Sequence, residues 1–116
     1  MAVYSKEFLT GTGNGTGLKV TATAAGSAVT VHTVPSSVKD EIWLYATNDD
    51  ASSSVTLTVL FGGTDDPDDY SYHTVTPRRG LLAVIPGFML GAGLVIKAFA
   101  SSANKVVLHG FANRIT

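Results

Sequence analysis

Val55-Thr56-Leu57-Thr58-Val59-Leu60-Phe61-Gly62-Gly63 is the stretch that decides the fold. From Val55 to Val59 apolar and polar side chains alternate with period two, the residues are mostly β-branched, and a glycine pair ends the run. That pattern specifies a strand with one face turned to a core. The same reading repeats on both sides. Upstream, Glu41 to Thr47 sets Ile42, Leu44 and Ala46 on one face and Trp43 and Tyr45 on the other. Val29 to Val34 is a β-branched run closed by Pro35-Ser36-Ser37, and Leu18 to Ala24 alternates strictly. Ala25-Gly26-Ser27 between these two predicts a hairpin turn. Downstream, Tyr70 to Thr76, Leu81 to Ile85, Gly93 to Ala100 and Lys105 to Ile115 read as strands. Their connections are Pro77-Arg78-Arg79-Gly80, Pro86 to Ala92, and Ser101 to Asn104. About eight short strands without a helical period predict an all-β fold. The expected architecture is an antiparallel β-sandwich or jelly roll over residues 18–116.

Residues 1–17 read differently. Thr10 to Gly17 spell TGTGNGTG, which can bury little and loses much entropy when ordered, so it predicts a flexible spacer. Ahead of it Val3, Tyr4, Phe8 and Leu9 supply enough apolar surface to dock. The expectation is an extended N-terminal arm that packs on a neighbouring subunit, or else a frayed terminus or an edge strand on its own domain. In the first case, removing residues 1–17 leaves the β-domain folded. Trp43 and Tyr45 bear on the same question, because a strand apolar on both faces implies a second covered surface, either a subunit contact or cover by the chain's own N-terminal arm or a long loop.

Composition narrows the classes. The chain has 116 residues, 45% hydrophobic and 15% charged, with a net charge of -1 and no cysteine. A chain of this length forms one domain and hides about two-thirds of its surface. Low charge excludes intrinsic disorder, and eight scattered Lys and Arg form no phosphate-neutralising patch, so no nucleic-acid partner is expected. No disulfide scaffold or thiolate metal site is available. The start has no apolar signal-type region. Leu81 to Ala100 holds a single charge, Lys97, but Pro86-Gly87 and Gly91-Ala92-Gly93 split it into pieces too short for a bilayer, so no membrane partner is expected.

Candidate chemistry is sparse. Asp65, Asp66, Asp68 and Asp69 could offer oxygen ligands to Ca²⁺, although the loop lacks the EF-hand spacing and suits a solvated turn. His32, His73 and His109 lie on different strands, and no orienting partner is legible for any of them. No serine sits in a nucleophile-elbow motif, and the glycine run fits neither nucleotide-binding template. Arg78 and Arg79 could pair with the acidic loop of the same or a neighbouring subunit. Trp43, Tyr45, Tyr70 and Tyr72 would be the stacking residues of a carbohydrate-binding module. The expectation is a non-enzymatic protein with no catalytic residue and no cofactor.

The second half of the chain carries a resemblance. Asn48-Asp49-Asp50, the strand Ser54 to Phe61 with Gly62-Gly63, the proline-bounded Leu81 to Gly87, then Gly93 to Ala100 and Val106 to Ile115 ending in Gly110-Phe111-Ala112-Asn113-Arg114-Ile115 resemble small virion proteins of tailed bacteriophages. The likeness covers about Trp43 to Ile115. It implies a capsid decoration or cement protein that assembles as a homo-oligomer, a trimer being favoured, and bridges major capsid subunits. The virion, assembled in the host cytoplasm, is then its location. A tail-tip, baseplate or fibre-associated protein is the alternative. Val3, Tyr4, Phe8, Leu9, Trp43, Tyr45, Arg78 and Arg79 are the expected contact residues.

Overall fold

A computed structural model describes residues 3–116. Met1 and Ala2, the start of the expected arm, lie outside the described residues. Nine strands run β1 (Tyr4–Phe8), β2 (Leu18–Lys19), β3 (Val29–Thr33), β4 (Lys39–Asn48), β5 (Val55–Phe61), β6 (Tyr70–Val75), β7 (Leu82–Leu90), β8 (Val95–Ala100) and β9 (Val106–Ile115). They form two sheets, all pairings antiparallel. In the first sheet β1 and β2 lie along one edge of β9, whose other edge pairs with β4, and β4 pairs with β7. The second sheet runs β3-β8-β5-β6. From β3 onward each strand changes sheet relative to the one before it, except β6, which follows β5 in a hairpin.

Period-two patterning places the core. Ile42, Leu44 and Ala46 of β4 and Leu108 and Ala112 of β9 face Leu57 and Val59 of β5 and Ile96 and Ala98 of β8, all buried in one cluster. The accessible surface of 5992 Å² agrees with the roughly 6,000 Å² that size scaling gives for a folded monomer of this mass.

The expected flexible arm is corrected. Tyr4–Phe8 pairs with β9 in register Tyr4↔Ile115 to Phe8↔Phe111, so the segment is an edge strand of its own domain. Leu9 is fully buried in the core, which removes it from the expected intersubunit contacts, and the 3₁₀ turn Thr10–Thr12 packs on β3. Gly11 at the start of the glycine run is a close-packing position. A Cβ on Gly11 would lie 2.5 Å from the Thr30 carbonyl oxygen and 2.6 Å from that of Val31, a distance no side chain tolerates. Burying the Leu9 side chain alone is worth about 1.5–3 kcal/mol, so residues 1–17 contribute to the stability of the domain.

Two other expectations change. The predicted hairpin between residues 18–24 and 29–34 does not form, because β2 joins the first sheet and β3 the second. Between them the chain crosses the end of the sandwich: the Val20 amide donates to the Val106 carbonyl and the Ala100 amide to the Ala22 carbonyl. Val20 and Ala22 stay buried, so the alternation survives while the turn reading fails. Pro86-Gly87 also does not end a strand. β7 is an edge strand, where a missing amide is tolerated, and two register shifts against β4 absorb the proline. Gly87 has φ +87, and a Cβ there would lie 2.8 Å from Trp43 Cζ2. Leu81–Ala100 thus becomes β7, β8 and their turn, and among the described residues no helix is long and apolar enough to cross a membrane.

Candidate functional site

A polar network sits at one end of the core. β3 carries a register shift between Thr30 and His32, which turns both Val31 and His32 inward. His32 and Asp40 are each 0% exposed, with His32 Nε2 2.7 Å from Asp40 Oδ2. The Thr10 amide donates to His32 Nδ1 at 3.0 Å, which assigns the ring proton to Nε2 and makes that nitrogen the donor to Asp40. Arg114 grips the same carboxylate through Nε to Oδ1 at 2.9 Å and Nη2 to Oδ2 at 3.1 Å, and its Nη1 lies 3.6 Å from Glu7 Oε1. Burial by itself would raise the Asp40 pKa; hydrogen bonds and charge from Arg114, then His32, outweigh it and hold the carboxyl below its usual range. An imidazole on a carboxylate is half of a hydrolytic triad, but here the nitrogen a nucleophile needs is taken by a backbone amide. The network joins β3 of one sheet, β4 and β9 of the other, and the N-terminal segment.

The outer face of the first sheet holds most of the expected contact residues. Phe8 is paired with Phe111 and Phe111 with Trp43, which sets β1, β9 and β4 side chains in one row. The Trp43 and Phe111 rings lie within 9° of parallel with centroids 6.2 Å apart, and Lys6 Nζ stands 5.4 Å over the Phe111 ring. Trp43 Nε1 and Asn113 Nδ2 both donate to Glu41 Oε1 at 2.8 Å, and these bonds hold the Glu41 carboxyl below its ordinary pKa. Trp43 and Tyr45 are half-buried on this face, whereas Tyr4 is 71% and Phe8 60% exposed. Val3 is exposed beside them. Tyr70 and Tyr72 pair with Leu60 and Thr58 on the outer face of the other sheet, so the four aromatics do not build one stacking surface.

The sandwich is closed on the β3 side by residues 9–12 and open between the free edges of β6 and β7. The opening is a cleft of about 460 Å³ lined by Phe61, Tyr70, Ile85 and Phe88, with Ser71, His73, Asp68 and Asp69 as its polar groups. Ser71 Oγ lies 2.9 Å from His73 Nε2, and burial pushes the His73 pKa down. Among the described residues no hydrogen bond ties this imidazole to an orienting carboxylate. His32, His73 and His109 occupy β3, β6 and β9, the first in the core, the second at the cleft and the third at a separate pocket.

The Asp65–Asp69 loop is a shaped turn. The Asp69 amide donates to the Asp65 carbonyl at 2.8 Å, and Asp69 Oδ2 accepts the Asp65 amide at 3.0 Å. Asp65, Asp66 and Asp68 point into solvent, and among the described residues no three His, Asp or Glu side chains gather with metal-site geometry. The suggested calcium ligands therefore do not converge, because Asp69 is spent on the backbone of its own turn.

Arg78 and Arg79 occupy the turn at the other end of β6. The Arg78 amide donates to the Asn48 carbonyl at 2.9 Å, and its Nε makes a long bond of 3.4 Å to the Asp49 carbonyl. Pairing with the acidic loop of the same chain is corrected on geometry: β6 separates the two by six residues, about 17 Å of strand. Arg78 instead lines a pocket of about 600 Å³ with Lys19, His109 and Asp49. Sequence reading missed Lys19, Asp40, Glu41, Asn48 and Arg114 as site-forming residues, since each acquires its role from partners distant in the chain. In comparison with known proteins, no family model, no curated protein and no solved structure matches the chain.

Proposed function

We propose that this chain is a structural subunit of a tailed-bacteriophage virion, a capsid decoration or cement protein that acts by contact and performs no catalysis. The observation that carries this reading is the strand order. β1/β2-β9-β4-β7 over β3-β8-β5-β6, with strands alternating between sheets, supports reading the sandwich as a jelly roll of two Greek keys. That architecture is shared by viral capsid, lectin and cupin domains, so the surface has to argue for the role alongside it. The row of Phe8, Phe111 and Trp43 on the outer face of the first sheet, with Tyr4 exposed farther along β1, supports the reading, because aromatic side chains left accessible on one face mark protein contact surfaces. On this account the subunit forms a homo-oligomer, three copies being favoured, and seats that face on major capsid subunits after assembly in the host cytoplasm.

Rebinding to heads tests the proposal. Phage heads stripped of the protein should recover it from solution, and a folded Tyr4→Ser/Phe8→Ser variant should bind at least about tenfold more weakly, the loss expected for two anchors of this kind. No binding to heads, or equal binding by the variant, sinks the proposal. Binding to tails alone favours the tail-tip or baseplate alternative.

A further inference from the structure

We propose that copies of this chain associate head to tail, the acidic turn Asp65–Asp69 of one copy entering the basic pocket formed by Lys19, Arg78 and His109 of the next. The inference rests on the reading of the chain as a self-assembling subunit, and it names the surfaces that would join.

Three observations carry it. First, the charge is polarised within a chain whose net charge is only -1. Four of its nine acidic residues lie in one loop, while the pocket at the far end of β6 presents Lys19, Arg78 and His109 against a single lining carboxylate, Asp49. Arg79 stands exposed next to it. Second, the two features cannot satisfy each other within one molecule, because the length of β6 separates them and both belong to the rigid β5–β6–β7 succession. Among the described residues neither Lys19 nor Arg78 has a side chain ion pair; the ion pairs present are those of Arg114 with Asp40 and Glu7. Third, the acidic turn is already ordered. Phe61 and Asp69 close it through backbone bonds, Asp69 clasps Asp65, and Tyr72 Oη donates to Asp66 Oδ1 at 3.4 Å. A preformed knob loses little entropy on docking.

Apolar area is available at both ends. Phe88 and Tyr72 are 61% and 60% exposed near the acidic turn, and Leu81, also 60% exposed, follows the Arg78-Arg79 turn. Charges at the rim steer the encounter and set its register, and these side chains supply the buried surface. Two different patches meeting make a heterologous contact, which closes into a ring when the rotation between neighbours permits. A cyclic trimer is one such closure.

Sedimentation velocity on the full chain, with charge reversals at each end, tests this. The wild-type chain should associate at low salt and weaken at least about tenfold in 1 M salt, where the screening length falls to about 3 Å. Lys19→Glu/Arg78→Asp and, separately, Asp65→Lys/Asp66→Lys/Asp68→Lys should each weaken association about 100-fold or more, since like charges then face each other. The chain carrying both reversals should recover association. All these side chains are exposed, so thermal melting near the wild-type value checks that each variant is folded. A chain monomeric at every salt concentration, single-end variants that associate like wild type, or a double reversal that stays dissociated overturns the inference. Failure here with intact head binding leaves the virion reading standing; charge-dependent association without head binding does the reverse.

Discussion

Replacing Arg114 by alanine strips Asp40 of two charge-assisted hydrogen bonds, Nε to Oδ1 at 2.9 Å and Nη2 to Oδ2 at 3.1 Å, and leaves a fully buried carboxylate facing only His32. Removing one member of a buried, hydrogen-bonded pair costs about 3–5 kcal/mol, most of it the burden of the charge left behind. An unfolding entropy of about 2.1 cal/mol/K per residue gives roughly 0.24 kcal/mol/K for a chain of this length. The melting temperature should therefore fall by about 12–20 °C. The pH dependence has a definite sign. Asp40 in the folded wild type has a pKa below 3.8, so its contribution is complete above that unfolded value and is lost as pH falls through the folded one. In the variant, burial acts on the carboxyl with less opposition and its pKa moves up. The gap in melting temperature should then be widest near neutrality and close as the pH drops below about 4. Differential scanning calorimetry between pH 3 and 7 reads both quantities. A fall of less than about 4 °C at pH 7, the effect of an exposed pair, or a gap independent of pH would refute the assignment of this network as a buried staple.

Asn48 offers a second test. Its Nδ2 donates to the Ser53 and Val75 carbonyls at 3.0 and 2.9 Å and its Oδ1 accepts the Asp50 amide at 2.9 Å, so Asn48→Ala should cost about 1–3 kcal/mol in urea unfolding by orphaning buried backbone. Gly11→Ala should cost about 1–3 kcal/mol and speed amide exchange in residues 9–12, because its Cβ collides with β3; Gly26→Ala, with nothing within 4 Å, should stay within about 0.5 kcal/mol. Leu9→Ala should lower stability by about 2–5 kcal/mol, and equal stability would return residues 1–17 to the status of a detachable arm.

Most of the architecture was legible because strand periodicity is local. β4, β5, β8 and β9 each show inward residues at every second position, and their ends fall within about two residues of the turn signals. The errors came where partners lie far away in sequence. β1 is short and followed by a glycine-rich run whose composition reads as spacer, and only its pairing with β9, more than a hundred positions later, makes it a strand. Ala25-Gly26-Ser27 has hairpin composition, but whether the next strand pairs with the last or crosses to the other sheet depends on which edge of β9 or β8 is free. Pro86 was read as a break, and edge position, which no local pattern reveals, makes it tolerable. The His32–Asp40–Arg114 network was invisible for the same reason, since Arg114 lies 74 positions after Asp40. Surface charge behaved differently. The acidic run and the Arg78-Arg79 turn were both evident in the sequence, and the structure adds that one β-strand holds them apart.

The contact function is tested most directly by electron microscopy of the assembled particle at a resolution that traces strands. The account predicts this two-sheet β-sandwich on the outside of the head, at junctions between major capsid subunits, with the face bearing Tyr4 and Phe8 toward the shell. Absence of the protein from the particle, or its presence on the head with that face turned to solvent and unattached, contradicts it.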